Sequence, residues 1–409
     1  MTTYKALSSS FLIMIISNIG NLAQFIYQII ISRKLDLADF GLFSSFMAYY
    51  SILSVPFIIF PYLLVRFKNT NKKDLDHLKN CLVFFCLFMV LIQLVLILTG
   101  DFFLFKILKN SNLENYLLII LFFFSSFIFL IPANLKLASN KYKNYTIYIN
   151  LPLIIKLVSI SLIVFFFKKI TVFSLLLINF LSVLVVIINR DSVNLFILKS
   201  LSNTWFFFKK NILFFVGVSI SLFFASFLQN IDIISLRYLF DEKESGYLAG
   251  SIFFGKIPFI FLSIFILIMF PEIFKKENKN LLSFKMLLKN FILIYIIIFF
   301  IYVLSILALI KFDFIVFAFG DKFINSKEFT PISLLYYCQL FVFCLMNNIL
   351  IQKNQFRYNI IVLFIIAIFM LYIFIQPLIP YDYFLIKNFL ILTLNIILLI
   401  FIFKFSKSN

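Results

Sequence analysis

NFILIYIIIFFIYVLSILALI, residues 290–310, runs from Lys289 to Lys311 without one charged side chain. As an α-helix rising about 1.5 Å per residue, it spans the roughly 30 Å hydrocarbon core of a bilayer. The rest of the chain repeats this pattern. Charge-free intervals of similar length occupy 6–32, 40–65, 80–100, 115–135, 170–189, 211–231, 329–352, 358–381 and 388–403. The last is short, and Lys387 and Lys404 at its ends can snorkel toward water. Two further apolar stretches, 147–167 and 246–270, are each interrupted by a single lysine, Lys156 and Lys256. Counting both, twelve spans are expected.

Composition agrees. The 409 residues are 63% hydrophobic, 20% aromatic and only 13% charged, with 62 Phe and a mean hydropathy of +1.09. An ordinary soluble domain is about half apolar and about a quarter charged. A soluble enzyme, a disordered chain and a fibrous protein are thereby excluded. The long continuous segments lack the alternation of outer-membrane β-strands, so the fold class expected is an all-α polytopic membrane protein. No small-x-small cleavage site precedes Arg33, so the first span reads as a helix and not as a cleaved signal peptide.

Twelve spans put both termini on one side. Roughly twice as many Lys and Arg fall in the segments on that side as in the loops opposite, including Lys72, Lys73, Lys209, Lys210, Lys275 and Lys276. The termini are therefore expected to be cytoplasmic. The net charge of +19 resides mainly in short loops facing anionic lipid. No basic domain exists, so nucleic acid is not an expected partner.

Several pattern matches carry no chemistry. Gly250-x4-Gly255-Lys256 has the outline of a phosphate loop, but Ile257 follows where Ser or Thr is needed, and the stretch is apolar. Asp74-Leu-Asp76 sits in a charged loop with no nucleotide-sugar domain around it. Cys81, Cys86, Cys338 and Cys344 lie in spans and read as small packing residues. His77 alone cannot make a metal site, and no cofactor is expected.

Polar side chains in hydrocarbon are costly, so their placement is informative. In the first span Ser17, Asn21, Gln24 and Gln28 fall on one helical face, with Asn18 beside it. The seventh carries Ser219, Ser226, Gln229, Asn230 and Asp232, and the tenth Gln339, Asn347, Asn348 and Gln352. Such residues either line a wet interior or bond helix to helix. By contrast, 290–310 and 358–375 read as lipid-facing. Lys156 lies near the middle of its span, and Lys256 about 15 Å down its own. Each reads as a partner for an anionic substrate group such as a phosphate, as half of an ion pair with Asp232, or as a snorkelling cation. Asp232 reads alternatively as a protonatable coupling site.

An internal repeat is visible. Gln24-x8-Arg33-x-Leu35-x5-Gly41-Leu42 is echoed by Gln229-x7-Arg237-x-Leu239-x6-Gly246-Tyr247. Six spans separate the two, so the halves share one orientation and form a parallel repeat about an axis along the membrane normal. The segment 190–210, with Arg190, Lys199, Trp205, Lys209 and Lys210, falls where a linker between halves belongs.

Here the chain resembles a known family. Ile31-Ser-Arg-Lys-Leu-Asp-Leu-Ala-Asp-Phe-Gly-Leu-Phe-Ser44 is similar to the first loop of polysaccharide transporters and O-antigen flippases, within the multidrug/oligosaccharidyl-lipid/polysaccharide exporter superfamily. Asp36 stands where that family usually has Gly. Asn230-Ile-Asp232 followed by Glu244-Ser-Gly246-Tyr247-x-Ala249 resembles the family's second-half motif. Phe270-Pro271 and Phe319-Gly320-x-x-Phe323 also fit. The resemblance implies twelve helices in two six-helix bundles, 1–190 and 211–409, joined by a cytoplasmic linker, 191–210. Spans 1, 2, 7 and 8 would line a central V-shaped cavity.

The resemblance also implies a function. Such a protein turns an undecaprenyl-pyrophosphate-linked oligosaccharide from the cytoplasmic to the periplasmic leaflet of a bacterial inner membrane, for O-antigen or capsule-type lipopolysaccharide and polysaccharide biosynthesis. Polysaccharide polymerase and chain-length proteins are the partners that such a role implies, alongside the lipid-linked substrate and membrane lipids. The expected substrate path comprises Lys156, Lys256, Asp232, Asn18, Asn21, Gln24, Gln28, Arg33, Gln229, Asn230, Arg237, Gln339 and Asn347. Gly246-x3-Gly250 would allow close helix approach in the eighth span. The competing readings are a cation-coupled small-molecule exporter using Asp232, and a membrane glycan polymerase. The latter usually needs a long periplasmic loop bearing catalytic polar residues, whereas 311–328 contains no His and no Arg.

Overall fold

A computed structural model describes residues 19–55, 104–110, 112–138, 142–166, 170–187, 201–275, 284–352, 354–376 and 378–407, with isolated positions between 56 and 103. Asn18, Cys81, Cys86, Asp74, Asp76 and nearly all of the expected third span lie outside the described residues.

Among the described residues the structure is all-helical, without strands. The helices are α1 (19–34), α2 (Leu37–Leu53), α3 (Leu104–Leu108), α4 (Leu113–Ala138), α5 (Tyr142–Phe166), α6 (Val172–Ile187), α7 (Leu201–Leu239), α8 (Glu242–Lys275), α9 (Phe284–Phe312), α10 (Phe314–Phe319), α11 (Ser326–Gln352), α12 (Tyr358–Ile375) and α13 (Pro380–Lys407). Seven of them, α4, α5, α7, α8, α11, α12 and α13, are long and apolar enough to cross a membrane. The chain thus has the make-up of a multi-pass membrane protein. Residues 201–210, part of the expected linker, form the first turns of α7, which runs unbroken to Leu239, and 191–200 lie outside the described residues.

Local chemistry sets the helix ends. Asp36 caps α2, its Oδ1 accepting from the Asp39 backbone N–H at 2.8 Å. Pro380 opens α13, where its missing N–H costs no helical bond. The short helix α10 stops at Gly320, whose φ of +94° suits only a residue without Cβ.

Buried residues form several apolar clusters. One joins α7, α8, α11, α12 and α13 around Tyr336, Phe343, Ile391 and Leu398. Another gathers Tyr27, Phe40, Phe43, Ile160 and Leu175, and extends to Ala249 and Phe254 of α8 and Phe319 and Phe323 beside α10. Outward surfaces are apolar too: Phe299 and Phe300 of α9, and Ile360, Phe364 and Ile375 of α12, are all more than three-fifths exposed. These are the stretches expected to face lipid.

The ends of several helices converge at one end of the molecule, here termed the α1–α2 end. It contains the α1–α2 and α7–α8 turns together with α3 and α10. There Gly41 of α2 packs on Gly246 of α8. A Cβ on Gly246 would fall 1.9 Å from the Leu37 carbonyl oxygen, and one on Gly41 would fall 3.0 Å from the Gly246 nitrogen. Only glycine permits helix backbones this close.

Candidate functional site

Helix α1 has three faces. Ala23, Tyr27 and Ile31 are buried, Ile19, Leu22 and Ile26 are exposed, and Asn21, Gln24 and Gln28 are half-buried. At about 100° per residue, the amide face adjoins the core face and turns away from the exposed apolar one. The polar stripe is therefore neither sealed into the core nor directed at lipid. Gln24 Oε1 is buried and has no hydrogen-bond partner among the described residues.

Beside this stripe lies Lys156. Helix α5 is the least buried of the seven long apolar helices, yet Pro152, Lys156 and Ile160, spaced by four, form its inward stripe. Lys156 is only 6% exposed, and its Nζ stands 4.9 Å from the centre of the Tyr27 ring. Aromatic faces attract cations, more strongly where water is excluded. Tyr27 OH in turn accepts from Asn179 Nδ2 at 3.1 Å. Asn179 Oδ1 is buried without a partner among the described residues. No carboxylate pairs with Lys156 among the described residues, and the Tyr27 ring is the group its ammonium faces. The inward orientation removes the snorkelling reading for this lysine.

The second buried charge cluster lies between α7, α8, α11 and α13. Asp232 is fully buried and its Oδ2 sits 2.5 Å from Lys387 Nζ. Tyr337 OH donates to the same oxygen, and Asp232 Oδ1 accepts from the Ile233 N–H at 3.0 Å. Lys387 also lies 3.6 Å from the Tyr336 ring centre. Lys256, 9% exposed, donates to Asn230 Oδ1 at 3.3 Å and stands 5.4 Å from the Tyr337 ring centre.

Two sequence expectations are corrected here. The partner of Asp232 is Lys387 and not Lys256. Lys387, expected at an outer loop as a snorkelling end residue, is 1% exposed, because α13 begins at Pro380 and carries it inside. A lysine is placed by its depth within a helix and by its face, and the charge-free interval shows neither. In this conformation Lys156 and Lys256 are both buried, so neither stands in an open chamber.

The expected polar residues of α11 divide. Asn347 is 1% exposed, donating to the Ser221 carbonyl at 3.0 Å and accepting from Tyr358 OH at 2.5 Å. Tyr358 and Asn359 also bond Ser221 Oγ. In this conformation that closed network is helix-to-helix bonding, the packing alternative for an amide within a span. Gln339 is half-buried, with Oε1 buried and unpartnered among the described residues, and its backbone carbonyl accepts from Asn395. Gln229 is also half-buried, and its carbonyl accepts from Tyr337 OH at 3.1 Å. Asn230 donates to the Ser226 carbonyl while accepting from Lys256.

Arg33 and Arg237 sit at the α1–α2 end, away from these clusters. Arg33 Nε donates to the Ala318 carbonyl at 2.9 Å, and its Nη2 donates to that of Phe317. Arg237, 2% exposed, donates to the Leu108 carbonyl at 3.1 Å, bonds Ser245 Oγ at 3.3 Å and pairs with Glu242 at 3.2 Å. In this conformation both expected substrate-path residues bond helix ends together. Lys322 donates to the carbonyls of Leu35 and Arg33, and Lys109 to that of Phe240 at 2.6 Å. Partial burial pushes the Lys322 ammonium below its usual pKa, opposed by the negative charge of Asp36.

Sequence reading missed Tyr27, Tyr336 and Tyr337 as the rings under the lysines. The signal available was tyrosine within apolar helices, where its hydroxyl needs a partner. No family model, curated protein or solved structure matches the chain.

Proposed function

We propose that the chain is an alternating-access transporter that turns an undecaprenyl-pyrophosphate-linked oligosaccharide from the cytoplasmic to the periplasmic leaflet of a bacterial inner membrane. In this reading twelve helices form two six-helix bundles related by a pseudo-twofold axis along the membrane normal, with both termini cytoplasmic. The lipid tail stays in the bilayer, and only the head needs a path. Lys156 and Lys256 serve the pyrophosphate, and the amides of α1 with Gln229 and Gln339 serve the sugars. Rocking of one bundle against the other exposes the path to alternate sides.

The observation that carries this reading is Lys156. It is an ammonium with no carboxylate partner among the described residues, on the inward stripe of an otherwise outward helix, beside a half-buried row of amides. A buried cation that faces an aromatic ring retains hydrogen-bonding capacity for an anion. The close glycine pair, Gly41 against Gly246, supports the two-bundle arrangement, because the repeat places these residues in equivalent positions. A cation-coupled small-molecule exporter using Asp232 is the weaker reading, since Lys387 and Tyr337 already occupy that carboxylate.

Lys156→Ala and Lys256→Ala, singly and together, test the proposal. Surface-glycan export should fall while protein level in the membrane stays normal. Unchanged export in the double variant would end the phosphate-binding role.

A further inference from the structure

The contacts at the α1–α2 end exchange cations crosswise. Arg33, at the end of α1, reaches the final carbonyls of α10, and Lys322, just beyond α10, reaches back to the carbonyls ending α1. Arg237, near the end of α7, reaches the last carbonyl of α3, and Lys109, just beyond α3, reaches back to Phe240 just beyond α7. Arg33-x-Leu35 and Arg237-x-Leu239 are the very segments that match in the internal repeat.

The physical need for these cations is direct. Each exchange brings two helix C-termini together, and each C-terminus carries partial negative charge on unsatisfied carbonyls. Left alone, the ends repel and their carbonyls seek water. A lysine or arginine donated from each side satisfies both. The arginines present a planar fork that can span adjacent carbonyls, as Arg33 does with Phe317 and Ala318.

Resting on the two-bundle reading above, we propose that these exchanges are two equivalent latches that hold the periplasmic end of the transporter shut. Each latch is made by the first helix of one bundle gripping the short helix of the other. The acceptors are backbone carbonyls, so a latch depends on how the helix ends are aligned. It engages only when both ends are in register, and a small rotation of one bundle breaks all its bonds at once. The two latches differ in strength. Arg33, Lys109 and Lys322 are exposed or half-exposed, whereas Arg237 is buried and further held by Glu242 and Ser245. The Arg33–Lys322 latch therefore releases first.

The test uses the full chain in lipid nanodiscs, with Cys81, Cys86, Cys338 and Cys344 replaced by alanine. Spin labels at Glu114→Cys and Asp382→Cys, both exposed in the first turns of α4 and α13, report the distance across the latched end. The parent should give mainly one short distance. Arg33→Gln with Lys322→Gln should raise a longer-distance population about fivefold to tenfold, the scale of losing charged hydrogen bonds near a surface. Adding Lys109→Gln should raise it further, and Arg33→Lys should give an intermediate rise. An unchanged distance distribution in the triple variant would mean fixed scaffolding and overturn the proposal. So would an equal rise from Lys34→Gln, an exposed neighbour with no part in either exchange. Because the readout needs no substrate, the latch can fail while the lysine variants still abolish export, and the reverse.

Discussion

Lys387 Nζ lies 2.5 Å from Asp232 Oδ2, joining α13 to α7 across 155 residues of sequence. The two side chains are 2% and 0% exposed. Removing water from two charges costs several kcal/mol per ion, and good geometry with further hydrogen bonds has to offset it. Tyr337 and the Ile233 N–H supply those bonds to the carboxylate, and the Tyr336 face supports the ammonium. The pair thus fixes the register of three helices around one buried point.

Breaking one side of this pair should cost far more than removing both. Lys387→Met leaves a buried carboxylate unpaired and should lower stability by about 3–5 kcal/mol. The double variant Asp232→Asn with Lys387→Met should recover most of that loss. Lys256→Met strands the neutral Asn230 Oδ1 and removes a cation near Asp232 that is not directly paired with it, and should cost about 1–3 kcal/mol. Thermal unfolding of the purified protein in detergent, followed by loss of the monodisperse peak in size exclusion, ranks the three. A double variant no more stable than Lys387→Met would remove the buried pair from the account.

The membrane class is legible from composition and from intervals such as 290–310, because a hydrocarbon core imposes both length and polarity on every span. The α1 stripe is legible for the same kind of reason: helical periodicity places Asn21, Gln24 and Gln28 together. What a one-dimensional reading cannot supply is which helix a side chain meets. Lys387 looks like an end residue because the charge-free interval begins after it, although the helix starts at Pro380. Asn347 looks like a lining residue because amides in spans do either job, and only the neighbouring Ser221 and Tyr358 decide between them. Arg33 and Arg237 stand out in the sequence as a matched pair, but the acceptors they reach on α10 and α3 are backbone carbonyls, which carry no sequence signature.

The close approach of α2 and α8 should make two glycines of one helix respond unequally to alanine. Inside a helix, Gly to Ala gains about 1 kcal/mol of intrinsic propensity. At Gly246 the new methyl meets the Leu37 carbonyl of α2, a backbone atom that cannot rotate away. Overpacking of about 1–3 kcal/mol then outweighs the gain. At Gly250 the nearest atoms are the Phe323 ring at 2.7 Å and the Ser326 hydroxyl at 3.1 Å, buried side chains that resist a methyl but less than a backbone carbonyl does. Gly246→Ala should therefore lower the midpoint of thermal unfolding more than Gly250→Ala does. The reverse order would contradict the glycine contact.

The three faces of α1 should separate by their access to water. A membrane-impermeant maleimide reacts with thiolate, and thiolate forms only where water or a cation supports it. Cysteines at positions 19, 22 and 26 replace exposed apolar residues on the face turned to lipid, and should remain unlabelled in the bilayer. Cysteines at 23 and 31 replace buried residues and should also resist. Cysteines at 21, 24 and 28 sit on the half-buried amide face and should label, more so when the path is open to the side from which reagent is added. Inverted and right-side-out vesicles distinguish the two sides. On the proposal that the α1–α2 end is periplasmic and latched, reagent on the cytoplasmic side should label position 21 faster than position 28, because 28 lies about two turns nearer that end. Uniform resistance of all three amide positions from both sides would mean that the stripe is dry helix contact, and the transport reading would lose its path.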